Sequence, residues 1–201
     1  MNFEIHISQK PIDGREIVAI NSFPVVRPVQ IHSTNIVFAG RGYREVKKGD
    51  AIVTDVKDLW IGVLTADCYP VFVVGKEMVG VIHAGWRGSL KGIVFKTLKY
   101  LQTFTIIEKT VIGPGICGNC YEVGLDLYRA FPKNIRDRVF FRKGNSKFNL
   151  DLKEVNKLQI NSAGITEIED LNFCTVCDND RFFSFRKEKT DKRILSAIRM
   201  V

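Results

Sequence analysis

Histidine is scarce in this chain, with three in 201 residues: His6, His32 and His83. That number is too small for a multinuclear centre built mainly on imidazole. The sequence also lacks any apolar run approaching the ~18 residues that a membrane helix needs. Its start, MNFEIHISQK, has neither the basic opening nor the small-residue cleavage site of a signal peptide, so a cytoplasmic protein is expected. There is no internal repeat, low-complexity tract or Pro/Gly/Ser linker to mark a domain boundary. No compact metal motif of the HExxH kind occurs. No aromatic-basic RNA-binding signature is present either, and the lysines and arginines behind the net charge of +8 are scattered, which argues against nucleic acid and leaves anionic small molecules as a use for the field. Cysteine is present but odd in number, five, which in a reducing compartment suits ligands, nucleophiles or core thiols better than a disulfide framework.

What remains is an ordinary globular composition, 45% hydrophobic and 26% charged, on a chain of the length of one domain, here taken as 1–201. Runs rich in Val, Ile and Phe at FPVVRPVQIH, NIVFAG, LWIGVLTA, VFVVG, MVGVIHAG, KTVIGP and RVFFR predict strands, concentrated in the first two thirds. Leu90, Ile93, Val94, Leu98 and Leu101 fall at helical spacing and predict a helix from about Ser89 to Gln102. A second helix is expected from Asp151 to about Ala163, with Gly164 supplying its C-terminal turn, and a shorter one near Gly124. The class is α/β.

His32, Cys68 and His83 each follow or close a strand-like run, where a sheet can fix a reactive group while a loop admits substrate. Two imidazoles and a thiolate suit Zn²⁺, and three protein ligands leave a fourth tetrahedral position open. Spacing alone equally allows each to be a core residue. In HAGWRGSL, Gly85 and Gly88 permit close backbone approach, Ser89 is placed as a cap, and Arg87 sits beside free amides that would suit an anion; a glycine-dependent strand-to-helix turn explains the same residues. Cys117 with Cys120 and Cys174 with Cys177 form two CxxC pairs. They could share a four-thiolate zinc site, stand as independent thiols, or pair as disulfides. CDNDRFFSFRKE interleaves Phe with Arg181 and Arg186, which suits either stacking on a planar ring or a buried strand with charged ends.

Taken together, QIHS (30–33), LTADCYPV (64–71), HAGWRG (83–88), GPGICGNCYEVG (113–124) and CTVCDNDRFFSFRKE (174–188) resemble, in order and spacing, the YfiH family of laccase-domain proteins, also called multicopper polyphenol oxidases and described as purine nucleoside phosphorylases. The resemblance implies a single-domain α/β sandwich of mixed β-sheet with flanking helices, with zinc on His32, Cys68 and His83 as metal ligands and catalytic centre. It further implies phosphorolysis of adenosine, inosine, guanosine and methylthioadenosine, together with deamination of adenosine. This chain departs from many relatives at Gly115 and Asn119, where they carry cysteine, and has TDKR where they have TGR, which makes Arg193 the nearest counterpart of the family arginine.

Phosphorolysis develops positive charge on the ribose and requires a held phosphate, for which Arg87, Arg41 and Arg44 are the candidate residues. For deamination a Lewis-acid metal lowers the pKa of water to about 7, and Asp67 or Glu122 would move protons. Two other classes fit some of the same residues. One is a copper-dependent polyphenol oxidase, with copper in place of zinc. The other is a Cys–His hydrolase in peptidoglycan editing, with Cys68 as nucleophile. The expected partners are purine nucleosides and phosphate, with no nucleic acid and no membrane; the sequence does not give the oligomeric state.

Overall fold

The structure, a computed structural model, describes residues 2–43, 47–144 and 146–201. Two mixed sheets stack face to face, and helices cover the outer face of one of them. The larger sheet runs in the order Ile168–Asp170, Ile107–Ile112, Tyr69–Gly75, Val79–Ala84, Ala51–Thr54, Ile36–Phe38, antiparallel except for the parallel pair at each edge. The second runs Phe3–Ile7, Ile194–Met200, Trp60–Thr65, Phe23–Val26, Ala19–Ile20. A small antiparallel sheet of Glu122–Gly124, Lys147–Leu150 and Phe140–Arg142 closes one end.

Side chains alternate across a strand, and here both faces of the central strands are covered, so Tyr69–Gly75 and Val79–Ala84 are buried throughout. Val71, Val73, Ile82 and Ala84 face the helices and pack on Ile93, Val94, Leu98 and Leu101. Phe72, Val74, Val79 and Val81 face the other way, onto Ile61, Val63, Ile198 and Met200 of the second sheet. By the same alternation His83 belongs to the Val79/Val81 face and stands near the end of its strand.

Several expectations change. The helical stripe after His83 is two helices, Trp86–Leu90 and Ile93–Leu101, broken at Gly92 with φ of 80°. A left-handed residue there ends one helix and starts the next at a new angle, so apolar spacing alone could not reveal the break. Ser89 caps neither helix; it is buried in the first and donates to Asn156 Oδ1 at 2.7 Å. FPVVRPVQIH is a strand only over Phe23–Val26, because Pro28 has no N–H for a ladder. His32 therefore lies in a loop instead of closing a strand. The second sheet also needs Ile194–Met200 between two of its members, a strand hidden by the charged stretch before it and by Arg199 within it. Arg199 is accommodated by Glu4 at 2.8 Å and by the rings of Phe23 and Trp60. The helix Leu152–Ser162 falls where expected, capped by Asp151 accepting from the Glu154 amide, with Gly164 at φ of 85° beyond its end. The helix Leu125–Ala130 follows Gly124 as expected. No helix among the described residues is long and apolar enough to cross a membrane.

Candidate functional site

The strands Trp60–Thr65 and Tyr69–Gly75 are joined through a turn that carries Cys68, and Val79–Ala84 delivers His83 beside it. The loop between Val26 and Ile36 brings His32. Gly85 marks the convergence: a Cβ built there would lie 2.8 Å from Cys68 Sγ, 3.3 Å from His32 Nδ1 and 3.6 Å from His83 Nε2. The two imidazole centroids are 4.9 Å apart. Gly85 thus has no room for a side chain, because the three donor atoms fill the space next to it.

Each donor is held by a buried or half-buried partner. Asp50, fully buried, accepts His83 Nδ1 at 2.9 Å, which leaves Nε2 to face Cys68. The same carboxylate takes the backbone amides of Ile31, His32 and Ser33 at 3.3, 2.9 and 2.6 Å, and the Ser33 hydroxyl at 2.8 Å. Three successive amides turned onto one anion require a tight bend, and His32 adopts φ of 56°. Gln30 anchors the other end of the loop by donating to the Leu64 carbonyl and accepting from the Leu64 amide, as a neighbouring strand would. Cys68 is positioned through Asp67, itself at φ of 89°, whose carboxylate accepts from Thr175 Oγ1, Ser184 Oγ and the Arg186 amide at 2.7, 2.7 and 2.6 Å. Left-handed backbone at the donor His32 and at Asp67, next to the donor Cys68, is strain kept in place by these networks.

Electrostatics follow from the same contacts. Burial disfavours a charged His83, but the facing Cys68 sulfur and the Asp50 carboxylate outweigh it and raise its pKa to about 9. Burial would raise the Asp50 pKa, yet hydrogen bonds from His83 and Ser33 pull it down to about 2. His32 is lowered, by partial desolvation and then by the neighbouring His83.

The three donors open onto a cleft of about 1020 Å³. Arg15, Arg87, Arg186, Lys189 and Arg193 line it, with Trp86, Tyr121 and Phe185 as aromatic surfaces. Arg15 is spent on Asp13 and Asp191. The Arg87 guanidinium stacks on Trp86 at 4.4 Å, and among the described residues no hydrogen bond engages it. Arg186 stacks on Tyr121 at 5.1 Å. Arg193 lines the cleft and gives Nη1 to the carbonyls of Thr190 and Lys192.

The fold therefore brings His32, Cys68, His83 and Arg87 to one cleft. Arg41 is exposed on the turn after Ile36–Phe38 and does not line it, and Arg44 lies outside the described residues. The Asp67 carboxylate lines the cleft and accepts three hydrogen bonds from Thr175, Ser184 and Arg186, and the Glu122 carboxylate pairs with Lys143 and Lys147. Sequence reasoning missed Asp50 and Gln30. A lone acid directly before the apolar run 51–53 was the available signal for Asp50.

The four remaining cysteines form a separate cluster. The sulfurs of Cys117, Cys120, Cys174 and Cys177 all lie within 4.8 Å of one another, positioned to bind a metal ion.

Residues 13–201 match the family model described as multi-copper polyphenol oxidoreductase laccase. The chain belongs to that family. A family relative from Aquifex aeolicus named purine nucleoside phosphorylase is 34% identical over 199 residues, covering 98% of this chain and 92% of its own length. Another, from an unknown prokaryotic organism and named adenosine deaminase, is 32% identical over 183 residues, covering 81% and 70%. Among solved family structures, a Neisseria meningitidis protein superimposes with a TM-score of 0.81 at 31% identity over 89% of this chain and 75% of that one. The YfiH protein of Bacillus licheniformis gives 0.80 at 30% identity over 88% and 74%. These relatives mark the chain as an enzyme of the purine nucleoside phosphorylase or adenosine deaminase type with an α/β sandwich fold.

Proposed function

We propose that the chain is a zinc-dependent purine nucleoside phosphorylase, converting adenosine, inosine, guanosine or methylthioadenosine and phosphate to the base and ribose 1-phosphate, with adenosine deamination as a second activity. The observation that carries this reading is the convergence of His32 Nδ1, Cys68 Sγ and His83 Nε2 around Gly85, on the wall of a basic, aromatic cleft. Two imidazoles and a thiol suit zinc, and the Asp50–His83 hydrogen bond is the outer-shell contact that fixes a ligating imidazole. When bound, zinc would supply a Lewis acid at the reacting substrate. The chain's own groups do the rest. Arg87, with Arg186 and Arg193 nearby, provides the positive field for phosphate. Trp86, Tyr121 and Phe185 offer flat apolar surface to a purine and displace water from it. Holding both reactants in one cleft makes the displacement at C1′ effectively intramolecular.

Incubating the protein with each nucleoside, with and without phosphate, and resolving bases, ribose 1-phosphate and inosine tests this directly. Phosphate-dependent release of base is expected; no turnover by zinc-loaded protein overturns it.

One alternative has an observation in its favour. Cys68, His83 and Asp50 stand in the order of a thiol nucleophile, its base and an orienting acid, which suits a hydrolase. A free nucleophilic thiol is alkylated rapidly, whereas a zinc-bound one is protected until a chelator is added. A copper oxidase is disfavoured because His6 sits against Trp60 in the second sheet, leaving two imidazoles at the cleft.

A further inference from the structure

We propose that Cys117, Cys120, Cys174 and Cys177 hold one structural zinc ion, and that this ion positions Cys68 by closing together the two loops that grip Asp67. The proposal is independent of the reaction catalysed in the cleft.

The donor set is four thiols, all free, on two CxxC turns that are 57 residues apart in sequence and adjacent in space. A tetrahedral ion with Zn–S bonds of about 2.3 Å places its sulfurs about 3.8 Å apart. Cys120 Sγ and Cys177 Sγ are 3.6 Å apart, and none of the four sulfurs is more than 4.8 Å from another. A set this tight encloses a single ion; an iron–sulfur cluster would need the thiolates spread around several irons. The backbone already serves one of the sulfurs: Cys174 Sγ accepts the amide of Cys117 at 3.4 Å. Lys187 holds the Val176 carbonyl at 3.1 Å, bringing a cation next to the dianion that four thiolates and Zn²⁺ make. With no open ligand position the site is of the closed, structural kind. Binding releases the four thiol protons.

The consequence lies in the neighbours of the cysteines. Ile116, directly before Cys117, donates its amide to the Asp67 carbonyl at 2.8 Å. Thr175, directly after Cys174, donates its hydroxyl to the Asp67 carboxylate at 2.7 Å. Between them the two loops pair through Gly115 and Thr175 at 3.2 Å. Asp67 precedes Cys68, so the ion fastens from outside the clamp that sets the open site's thiol.

The test uses the full chain with the open site removed, as a H32A/C68A/H83A variant. Metal analysis and zinc X-ray absorption are expected to find one zinc per chain with four sulfur neighbours at about 2.3 Å, lost when C120S and C177S are added. Absence of metal, iron as the bound metal, or disulfides among the four cysteines would overturn the site. Hydrogen exchange reads the clamp: in C120S/C177S with the open site intact, the Ile116 amide is expected to exchange about tenfold faster. If that variant does not fold, stripping zinc from the H32A/C68A/H83A chain with a chelator reads the same amide. Unchanged exchange at Ile116 after loss of the metal overturns the positioning role.

Discussion

The chain gathers sulfur at two places, and the two are built on opposite plans. Around Gly85 a single thiol meets two imidazoles, the donors open onto a wide cleft, and a buried carboxylate orients one of them from behind. At the other place four thiols face one another on two turns, from buried Cys174 to exposed Cys177, and a backbone amide, that of Cys117, serves one of the sulfurs. Mixed donors with an unfilled side suit chemistry; a closed set of like donors suits holding loops together. The two meet at Asp67, one residue from Cys68 and gripped by residues adjacent to both CxxC pairs.

That contrast predicts how substitutions should divide. The largest effect is expected at Cys68→Ala, with turnover falling on the order of 10³-fold, about 4 kcal/mol in transition-state stabilisation, while thermal stability stays near wild type. A large loss of stability with turnover retained would erase the distinction between the two sites. Gly85→Ala should come next, with about a hundredfold loss read in steady-state kinetics, because the new Cβ would lie 2.8 Å from Cys68 Sγ and must push the donors apart. Asp50→Asn is expected to lower metal affinity or turnover by 10- to 100-fold, as outer-shell partners of a ligating imidazole typically do. Arg87→Ala should act more mildly, raising the KM for phosphate by about tenfold (about 1.4 kcal/mol) with kcat little changed.

The last effect concerns pH and the carboxylate that ends the short helix Phe185–Glu188, next to Ser184, whose hydroxyl binds Asp67. Burial would raise the Glu188 pKa, but hydrogen bonds from Lys10, the Ser184 amide and Asn179 bring it down from 4.5 to about 2. A carboxylate whose folded pKa is depressed adds stability above its unfolded pKa and loses it as pH falls through the folded value. Denaturant unfolding should therefore show Glu188→Gln and wild type differing by about 1–2 kcal/mol at pH 6 and converging between pH 4.5 and 2.

The candidate site was legible where residue type is scarce and chemistry specific. Two of three histidines and the thiol of TADC could be singled out because few other residues compete for those roles, and the glycines of HAGWRG announced a close approach. What stayed hidden depends on partners distant in sequence. Asp50 reads as a turn residue until His83 and the His32 loop are folded onto it, and the four cysteines become a cluster only when residues 57 apart are brought together. The strands followed apolar runs, and misreadings came where one residue overrules a pattern: Pro28 ending a strand early, Gly92 splitting a helix, Arg199 disguising a strand in the middle of a sheet. Arg41, a candidate for holding phosphate, is exposed and does not line the cleft.

The central claim is that the open His32–Cys68–His83 site is a zinc centre for phosphorolysis. The most direct test is to titrate metal-stripped protein with Zn²⁺ while following phosphate-dependent release of hypoxanthine from inosine, with wild type and Cys68→Ala side by side. The account predicts that turnover appears with zinc in the wild type and never in the variant. Full turnover by the stripped protein, or by Cys68→Ala, would contradict it.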